Sequence, residues 1–411
     1  MARAKLEFDA MLRDPIGEFK RARQVGWLGE VDMGGVGVLT HERVRELLTD
    51  DRLRSRFVEF MERMGVTSGP FYEWMSISPL NRDGVDHARW RQLMSKAFTP
   101  RNVDRLRPFL HDAAHQLIDG FAARGSTAFM AEFADAYPSL GLSELIGVPT
   151  EDRERFRRWA NTIGLGFSPV TMAARLREID DALTRLLDYT GALATRRRAD
   201  PRDDLVTRIA QAADEEGGWT DFEVRGFIAV LVFAGHETTK NQLGWMVALL
   251  ADRPDVWDAV ASGDITAAEV VEEVIRLRGA ATHVGRTVVE PVEVGGELLE
   301  PGTQVLLSLS SANRDEAAFP KPEALAPREN ADTPHVGFGY GPHFCLGAAL
   351  ARAELQEALS ALTARISCPT VGPGVTWKPP MGVNGPQELP ITFQRRLTDR
   401  VAGCRTRGAG A

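Results

Sequence analysis

The sequence predicts one large, mainly α-helical domain with small β-sheets, and two patterns support this fold class. Apolar residues recur at helical spacing through most of residues 104–209, and again from residue 220 onward. Runs of β-branched residues beside glycine are short and scattered, as in the segment 31–39. Helices should therefore dominate, with breaks where glycine or proline interrupts the pattern, at residues 147–149, 168–169 and 200–201.

Composition narrows the function classes. The formal net charge of −8 over 411 residues argues against a general nucleic-acid binder, which would need a basic surface. The cysteines, Cys345, Cys368 and Cys404, form no CxxC, so neither a disulfide framework nor a thiolate zinc site is indicated. No apolar run is long enough for a signal peptide or membrane anchor. We expect a cytoplasmic monomer with no membrane contact, with one domain over residues 1–396 and a disordered tail, 397–411.

The first third of the chain predicts a small sheet followed by helices. Residues 31–53 read as short strands feeding a helix. The segment 59–78 mixes aromatic residues and methionines with glycine and proline, and is too irregular for one helix. From its composition alone, this segment is an ordinary surface loop that buries its aromatics. His111 and His115 stand four residues apart, but no third ligand completes a usual zinc set.

A long buried helix is predicted after Thr220, whose TDFE resembles a capping box. The sequence that follows is apolar almost all round, except for the polar run AGHETT near its middle. Polar groups in a buried helix are costly unless they are satisfied, so this run is a functional candidate. Thr238 and Thr239 can hydrogen-bond to carbonyls one turn earlier, and with Gly235 they could locally open the helix to water.

The segment 335–351, HVGFGYGPHFCLGAALA, joins a glycine-rich loop to a helix from Ala348 onward. Cys345 lies at the junction, where free backbone N–H groups and the helix dipole favour a thiolate that can bind a metal. A lone cysteine here would ordinarily be a small buried residue. The spacing of Phe338, Gly341, Cys345 and Gly347, FxxGxxxCxG, resembles the haem-binding loop of the cytochrome P450 family.

This resemblance implies the cytochrome P450 fold and a bound haem b, with Cys345 as the axial thiolate of the iron. Gly339 and Gly347 belong to the same cofactor-binding loop. Ala234, Gly235, Glu237 and Thr238 match the family's (A/G)Gx(D/E)T, in which Thr238 would hold bound oxygen and its water and Glu237 would relay protons.

Four basic side chains match family positions that hold the haem propionates, and one ion pair matches a structural position. His87 and Arg91 form the family's HxxxR, although Arg82 to Val85 replace its upstream prolines. Arg286 and His343 fall at two further propionate positions. Glu273 and Arg276 form ExxR, a weak signal alone, which the resemblance identifies as a buried ion pair. His283 would be an unusual polar residue in the pocket beside the haem, or else a surface or structural histidine. The resemblance also implies that the segment 59–78 covers the haem pocket and that the segment 164–172 belongs to a lid over the substrate channel.

The function implied is a soluble bacterial haem-thiolate monooxygenase that oxidises a small organic, secondary-metabolite substrate with O2. No flavin or iron–sulfur domain is recognisable, so NAD(P)H electrons should arrive through a separate ferredoxin and ferredoxin reductase. Arg352, with Lys96, Arg101 and Arg105, is expected to form a basic patch for the ferredoxin. Two alternatives stay open: oxidative coupling or desaturation without oxygen insertion, and a non-catalytic haem-bearing recruitment protein.

Overall fold

The computed structural model describes residues 3–95, 98–168 and 170–396. The predicted disordered tail, 397–411, and Lys96 of the expected basic patch lie outside the described residues. The structure is 57% helical, so the mainly α-helical prediction is confirmed. None of the helices in the described part of the chain is long and apolar enough to cross a membrane.

The described residues form sixteen α-helices. In chain order they are α1 Phe8–Arg13, α2 Pro15–Arg23, α3 His41–Leu48, α4 Phe57–Arg63, α5 Pro70–Ile77, α6 Gly84–Ser95, α7 Pro100–Asp119, α8 Ala136–Ile146, α9 Arg153–Gly164, α10 Leu176–Ala199, α11 Leu205–Glu216, α12 Asp221–Ala251, α13 Pro254–Ser262, α14 Ala267–Leu277, α15 Leu309–Ala312 and α16 Ala348–Arg365.

The strands form one six-stranded sheet and three smaller sheets within the described residues. In chain order they are β1 Ala4–Leu6, β2 Leu28–Val31, β3 Val36–Val38, β4 Leu53–Arg54, β5 Ser126–Ala128, β6 His283–Val288, β7 Val292–Val294, β8 Glu297–Leu299, β9 Gln304–Ser308, β10 Ile366–Val371, β11 Thr376–Trp377, β12 Pro386–Glu388 and β13 Pro390–Arg395. The largest sheet has the order β1-β2-β3-β9-β6-β4, the next has the order β10-β13-β5, and β7-β8 and β11-β12 form pairs.

Helix α12 runs through the interior between two apolar clusters. The capping box at its start is present, because Thr220 and Glu223 exchange side-chain-to-backbone hydrogen bonds. Residues 224–233 pack into one cluster and residues 243–250 into the other, so the polar run lies between them. The predicted opening at Thr238 and Thr239 is wrong for this structure, since the helix is continuous from Asp221 to Ala251. The Thr238 hydroxyl bonds to the Ala234 carbonyl one turn earlier without breaking the backbone hydrogen bonds of the helix.

Most predicted boundaries are confirmed, and the errors lie in long-range contacts. Helices α8 and α10 end at Ile146 and Ala199, next to the predicted breaks. The irregular segment 59–78 forms two short helices, α4 and α5, which bury the aromatic residues that made its pattern unclear. Strand β5 was not predicted, because its partner β13 lies more than 250 residues away in the chain.

Candidate functional site

The loop that carries Cys345 is a tight turn closed by backbone hydrogen bonds. The Cys345 N–H donates to the Phe338 carbonyl at 2.8 Å, so the two ends of the loop meet. Gly339 and Gly341 have φ of +73° and +71°, a conformation that favours glycine. A Cβ at Gly341 would lie 2.8 Å from a methyl carbon of Thr49, so packing also requires glycine there.

The Cys345 side chain is exposed, although many protein atoms surround it. Burial raises the pKa of its thiol, so the accessible sulfur lies in a recess of the protein and not on open surface. The Gly347 N–H and the charges of Arg91 and Arg352 act in the opposite direction. The expectation that the helix start favours the thiolate is therefore wrong for the metal-free thiol, because burial outweighs those donors. A bound metal cation would reverse this balance.

The face of α12 that carries Ala234 and Thr238 is also accessible. Ala234 is exposed and Thr238 half-buried, although Phe233, His236, Glu237 and Thr239 beside them are buried. The Thr238 hydroxyl donates to the Ala234 carbonyl at 2.7 Å, which leaves its oxygen lone pairs free to accept a hydrogen bond. Leu346, next to Cys345, packs against the same apolar cluster as the first half of α12. The Cys345 loop and the first half of α12 therefore adjoin the same apolar core, and each keeps accessible surface beside it.

Glu237 lies beside this face and is held as a carboxylate. Its Oε1 accepts hydrogen bonds from Lys378 and from Asn241, the latter at 3.2 Å, and Lys240 lies 3.6 Å from Oε2. Burial acts to raise the pKa of Glu237, but Lys240 and Lys378 outweigh it and lower that pKa. Oε2 is buried and has no hydrogen-bond partner among the described residues. The group is therefore an ionised acceptor with one free oxygen.

An aromatic cluster lies over the first half of α12. Phe167, from the predicted lid segment 164–172, stacks on Phe233 with ring centroids 3.9 Å apart, and Phe57 stacks on Phe167 at 5.5 Å. His283 begins β6; it is half-buried, and burial lowers its pKa to about 4. Its Nδ1 lies 3.0 Å from the Thr282 hydroxyl. The segment 164–172 therefore packs against the helix that carries the polar run.

Two contacts bring three of the four predicted propionate-binding side chains, His87, Arg91 and His343, to the Cys345 loop. The rings of His87 and His343 are 4.0 Å apart, and Arg91 donates to the Phe344 carbonyl at 2.5 Å, beside Cys345. Burial lowers the pKa of His87 to about 4. Arg286 is buried, and its guanidinium donates to the Gly285 carbonyl at 2.9 Å with no carboxylate within 4 Å among the described residues.

The Glu273–Arg276 pair is present, with side chains only 4% and 2% exposed. Arg276 Nε donates to Glu273 Oε2 at 2.7 Å and Arg276 Nη2 donates to Glu273 Oε1 at 2.8 Å. Nη1 and Nη2 also donate to backbone carbonyls of the segment 313–324. Glu273 Oε1 accepts from the Ala326 N–H at 2.9 Å and from Asn330 at 2.7 Å. The pair therefore fastens α14 to the connector that precedes the Cys345 loop.

Arg352 does not present a free charge to solvent. It donates two hydrogen bonds of 2.7 Å to Glu272 and lies over the Phe338 ring at 4.6 Å. His335 contacts the same carboxylate at 3.2 Å. The expectation that Arg352 leads an open basic patch is thus wrong, because its charge is already paired. Arg105 likewise lies 3.7 Å from Asp203.

These features fit a haem. The Cys345 side chain is exposed, and a Cβ at Gly347 would meet no atom within 4 Å, so a planar group has room beside the loop. The buried guanidinium of Arg286, without a carboxylate partner in the described chain, suits an anionic propionate. Together they match the donor set and shape of a porphyrin with a thiolate ligand.

Sequence reasoning missed Asp83, Lys378 and Glu272, which hold the predicted site residues in place. Asp83 accepts from His343 Nε2 at 2.9 Å across 260 positions of sequence. Lys378 reaches Glu237 across 141 positions. For Glu272, adjacency to the ExxR motif offers a local signal, whereas nothing near Asp83 or Lys378 in the chain indicates these partners.

Comparison with known proteins agrees with this geometry. A family model described as Cytochrome P450 matches residues 170–262 and 267–368. The chain is 33% identical over 380 residues to luteothin monooxygenase of Streptomyces thioluteus, covering 92% of each chain. It is 36% identical to mycinamicin IV hydroxylase/epoxidase of Micromonospora griseorubida, covering 87% of this chain and 89% of that one.

A solved structure of P450BioI in complex with an acyl carrier protein ligated to hexadec-9Z-enoic acid superposes with a TM-score of 0.86 at 26% identity. The match covers 93% of this chain and 99% of that one. Together with the Cys345 loop, the accessible face of α12 and the buried ion pair, these matches identify the chain as a member of the cytochrome P450 family, a haem-dependent monooxygenase.

Proposed function

We propose that the enzyme inserts an oxygen atom into a small apolar or amphipathic secondary metabolite, with O2 as co-substrate. The observation that carries this proposal is the presence of an exposed Cys345 thiol together with a half-buried Thr238 whose hydroxyl oxygen can still accept a hydrogen bond. A docking protein has no need of the second feature. The matched relatives support the substrate class, because their names refer to luteothin and mycinamicin IV.

In this proposal Cys345 ligates the haem iron, and His87, Arg91, Arg286 and His343 bind its propionates, with Phe338, Gly339, Gly347 and Ala234 lining the cofactor. Bound there, haem supplies the activation of dioxygen by a thiolate-ligated iron. The remaining chemistry asked of the chain is the binding of substrate, the exclusion of bulk water and the delivery of protons.

Proton delivery is assigned to Thr238 and Glu237. The Thr238 hydroxyl donates its hydrogen bond to the Ala234 carbonyl. Its oxygen therefore accepts a hydrogen bond from a water molecule and holds that water at the accessible face of α12. Glu237 is ionised, so it acts as a relay that takes up a proton at the free Oε2 and passes it on. Lys378 and Lys240 keep the carboxylate ionised between transfers.

Substrate binding is assigned to the space under the aromatic cluster. Phe167 and Phe233 present apolar ring faces, and closing the lid excludes water from the reacting region. Electrons from NAD(P)H are proposed to arrive through a ferredoxin and its reductase at the face where the Cys345 loop is exposed. Tyr340 in that loop is 37% exposed and Arg45 lies over its ring, which gives this face a contact for a partner.

The experiment is turnover in labelled dioxygen with reconstituted ferredoxin and reductase, on ligands chosen by displacement of the iron's water in optical titrations. Label in the product supports oxygen insertion. A product that has lost two hydrogens and carries no label supports coupling or desaturation instead. Absence of any product with every ligand that binds would favour the recruitment protein.

A second candidate is oxidation of a substrate tethered to a carrier protein. It is favoured by the structural neighbour solved with an acyl carrier protein. The test measures the dissociation constant of a free substrate and that of the same substrate attached to the phosphopantetheine arm of its carrier protein. A dissociation constant at least tenfold lower for the carrier-bound form would support this candidate.

A further inference from the structure

The Asp83 carboxylate lies among the basic side chains assigned to the propionates. Asp83 is half-buried in the segment that replaces the family's prolines, just before α6. We propose that Asp83 is a positioning residue for the haem: it orients His343 and sets a fixed negative charge beside the propionates, which lowers the reduction potential of the iron. This inference rests on the proposed assignment of His343 to a propionate.

Both oxygens of Asp83 are occupied, so the carboxylate is fixed from two directions. Oδ1 accepts from His343 Nε2 at 2.9 Å, and Oδ2 accepts from the Ser55 N–H at 2.8 Å. The side chains of His343 and Asp83 are only 17% and 16% exposed. Once Nε2 is engaged, Nδ1 is the polar atom of His343 that remains for a propionate. Asp83 therefore decides which edge of the ring faces the cofactor.

The fixed orientation of the His343 ring also restrains the ring of His87. His343 lies against His87 with centroids 4.0 Å apart and planes inclined by 31°. A rotation of His343 would disturb this contact, so the hydrogen bond to Asp83 also limits the freedom of His87. Ser55 follows β4, and its N–H anchors the carboxylate to the rim of the large sheet. The sheet, α6 and the Cys345 loop meet at this one side chain.

The negative charge of Asp83 also acts on two other side chains assigned to the propionates, His87 and Arg286. It opposes the lowering of the pKa by burial at His87, and it does the same at Arg286. Two haem propionates carry two negative charges, which Arg91 and Arg286 balance, so Asp83 leaves the loaded site with an excess negative charge. Negative charge beside a haem disfavours the electron that reduces its iron. Asp83 therefore favours the ferric state.

The test compares Asp83→Asn with Asp86→Asn in the haem-loaded enzyme. Asparagine keeps an acceptor for the Ser55 N–H and removes the charge. Asp86 lies one turn into α6 with its side chain 67% exposed, 3.5 Å from Arg82, so its substitution removes the same charge from a solvated site. The readout is the midpoint potential from spectroelectrochemical titration under argon at fixed ionic strength.

At a fixed potential, D83N should raise the ferrous-to-ferric ratio at least threefold. This corresponds to a midpoint potential about 28 mV higher, at 59 mV per tenfold change. D86N should produce less than half of that shift, because water screens its charge. In a His343→Gln background the D83N shift should be smaller but not abolished, since ring orientation no longer contributes whereas the charge of Asp83 still does. Asp83→Glu, which keeps the charge, should restore most of the wild-type potential.

A D83N potential that matches D86N would overturn the proposal, as would a D83N shift that is undiminished in the H343Q background. Melting curves of each variant are recorded first. If D83N does not load haem, Asp83→Ser, whose hydroxyl can still accept from the Ser55 N–H, takes its place with the same expected shift. A wild type without a thiolate-type carbon monoxide spectrum would refute the proposed function instead, so the two failures are distinguishable.

Discussion

Replacing Glu273 by glutamine should destabilise the fold strongly without touching the haem site. Glutamine keeps an oxygen for the Ala326 N–H and the Asn330 amide, both of which bond Glu273 Oε1. It loses the negative charge that faces Arg276, whose side chain is 2% exposed. The guanidinium retains its backbone carbonyl acceptors but has no counter-charge in a nearly dry site.

The magnitude follows from that geometry. Breaking a buried pair by neutralising one partner costs about 3–5 kcal/mol. Because glutamine preserves the two hydrogen bonds to Oε1, we expect the lower end, about 3 kcal/mol. Unfolding entropy for a chain of this length is roughly 0.8 kcal/mol/K, so the midpoint of thermal unfolding should fall by about 4 °C.

The assay is urea unfolding at pH 7, followed by far-ultraviolet circular dichroism and by the Soret band. Glu272→Gln is the matched control, since it makes the same substitution one residue earlier in α14. The Glu272 side chain is 40% exposed, so its pair with Arg352 should contribute less than about 1 kcal/mol. Equal losses in E273Q and E272Q would refute the claim that burial makes the ExxR pair the stronger one.

Three further outcomes are expected. Thr238→Ala should keep the thiolate spectrum but lower product formed per NAD(P)H by about tenfold, with the missing electrons recovered as hydrogen peroxide; unchanged coupling would remove Thr238 from proton delivery. Burial acts to raise the pKa of Glu272, but Arg352 and His335 lower it to about 2, so its stabilisation is complete above the unfolded pKa of 4.5. The stability difference between wild type and E272Q should therefore vanish as the pH falls from 4.5 towards 2 in acid titrations of urea unfolding. Gly341→Ala should lower the free energy of unfolding by about 1 kcal/mol or more and should lower the haem content, because φ is +71° at this residue and the added methyl would meet Thr49. A variant with wild-type stability would contradict this prediction.

The sequence was informative where the determinant is local. The capping box at Thr220 and Glu223, the helical periodicity and the glycine breaks each depend on residues within a few positions of one another, and the structure contains them. The Cys345 loop could be recognised for the same reason, because its glycines and cysteine specify a tight turn before a helix.

Contacts between distant segments could not be predicted in this way. The pairing of Asp83 with His343 depends on how the β4 edge, α6 and the Cys345 loop meet in three dimensions. The lysine that holds Glu237 comes from the segment after β11. Arg352 looked like an open charge, because its partner Glu272 lies 80 positions earlier in the chain.

Two local inferences were also wrong, for physical reasons that a sequence does not display. The helix dipole and the Gly347 N–H do favour a thiolate at Cys345, but the depth of burial outweighs them until a metal is bound. Thr238 does bond back to Ala234, yet the surrounding apolar packing keeps α12 continuous. In both cases the tertiary environment decided the balance.

The central claim, that Cys345 is the thiolate ligand of a haem, is tested most directly by the absorption spectrum of the reduced enzyme under carbon monoxide. Wild type should show the red-shifted Soret band of thiolate ligation, and Cys345→Ser should lose that band while the fold persists by circular dichroism. A Cys345→Ser protein that keeps the red-shifted band, or a haem-loaded wild type that never shows it, would contradict the assignment.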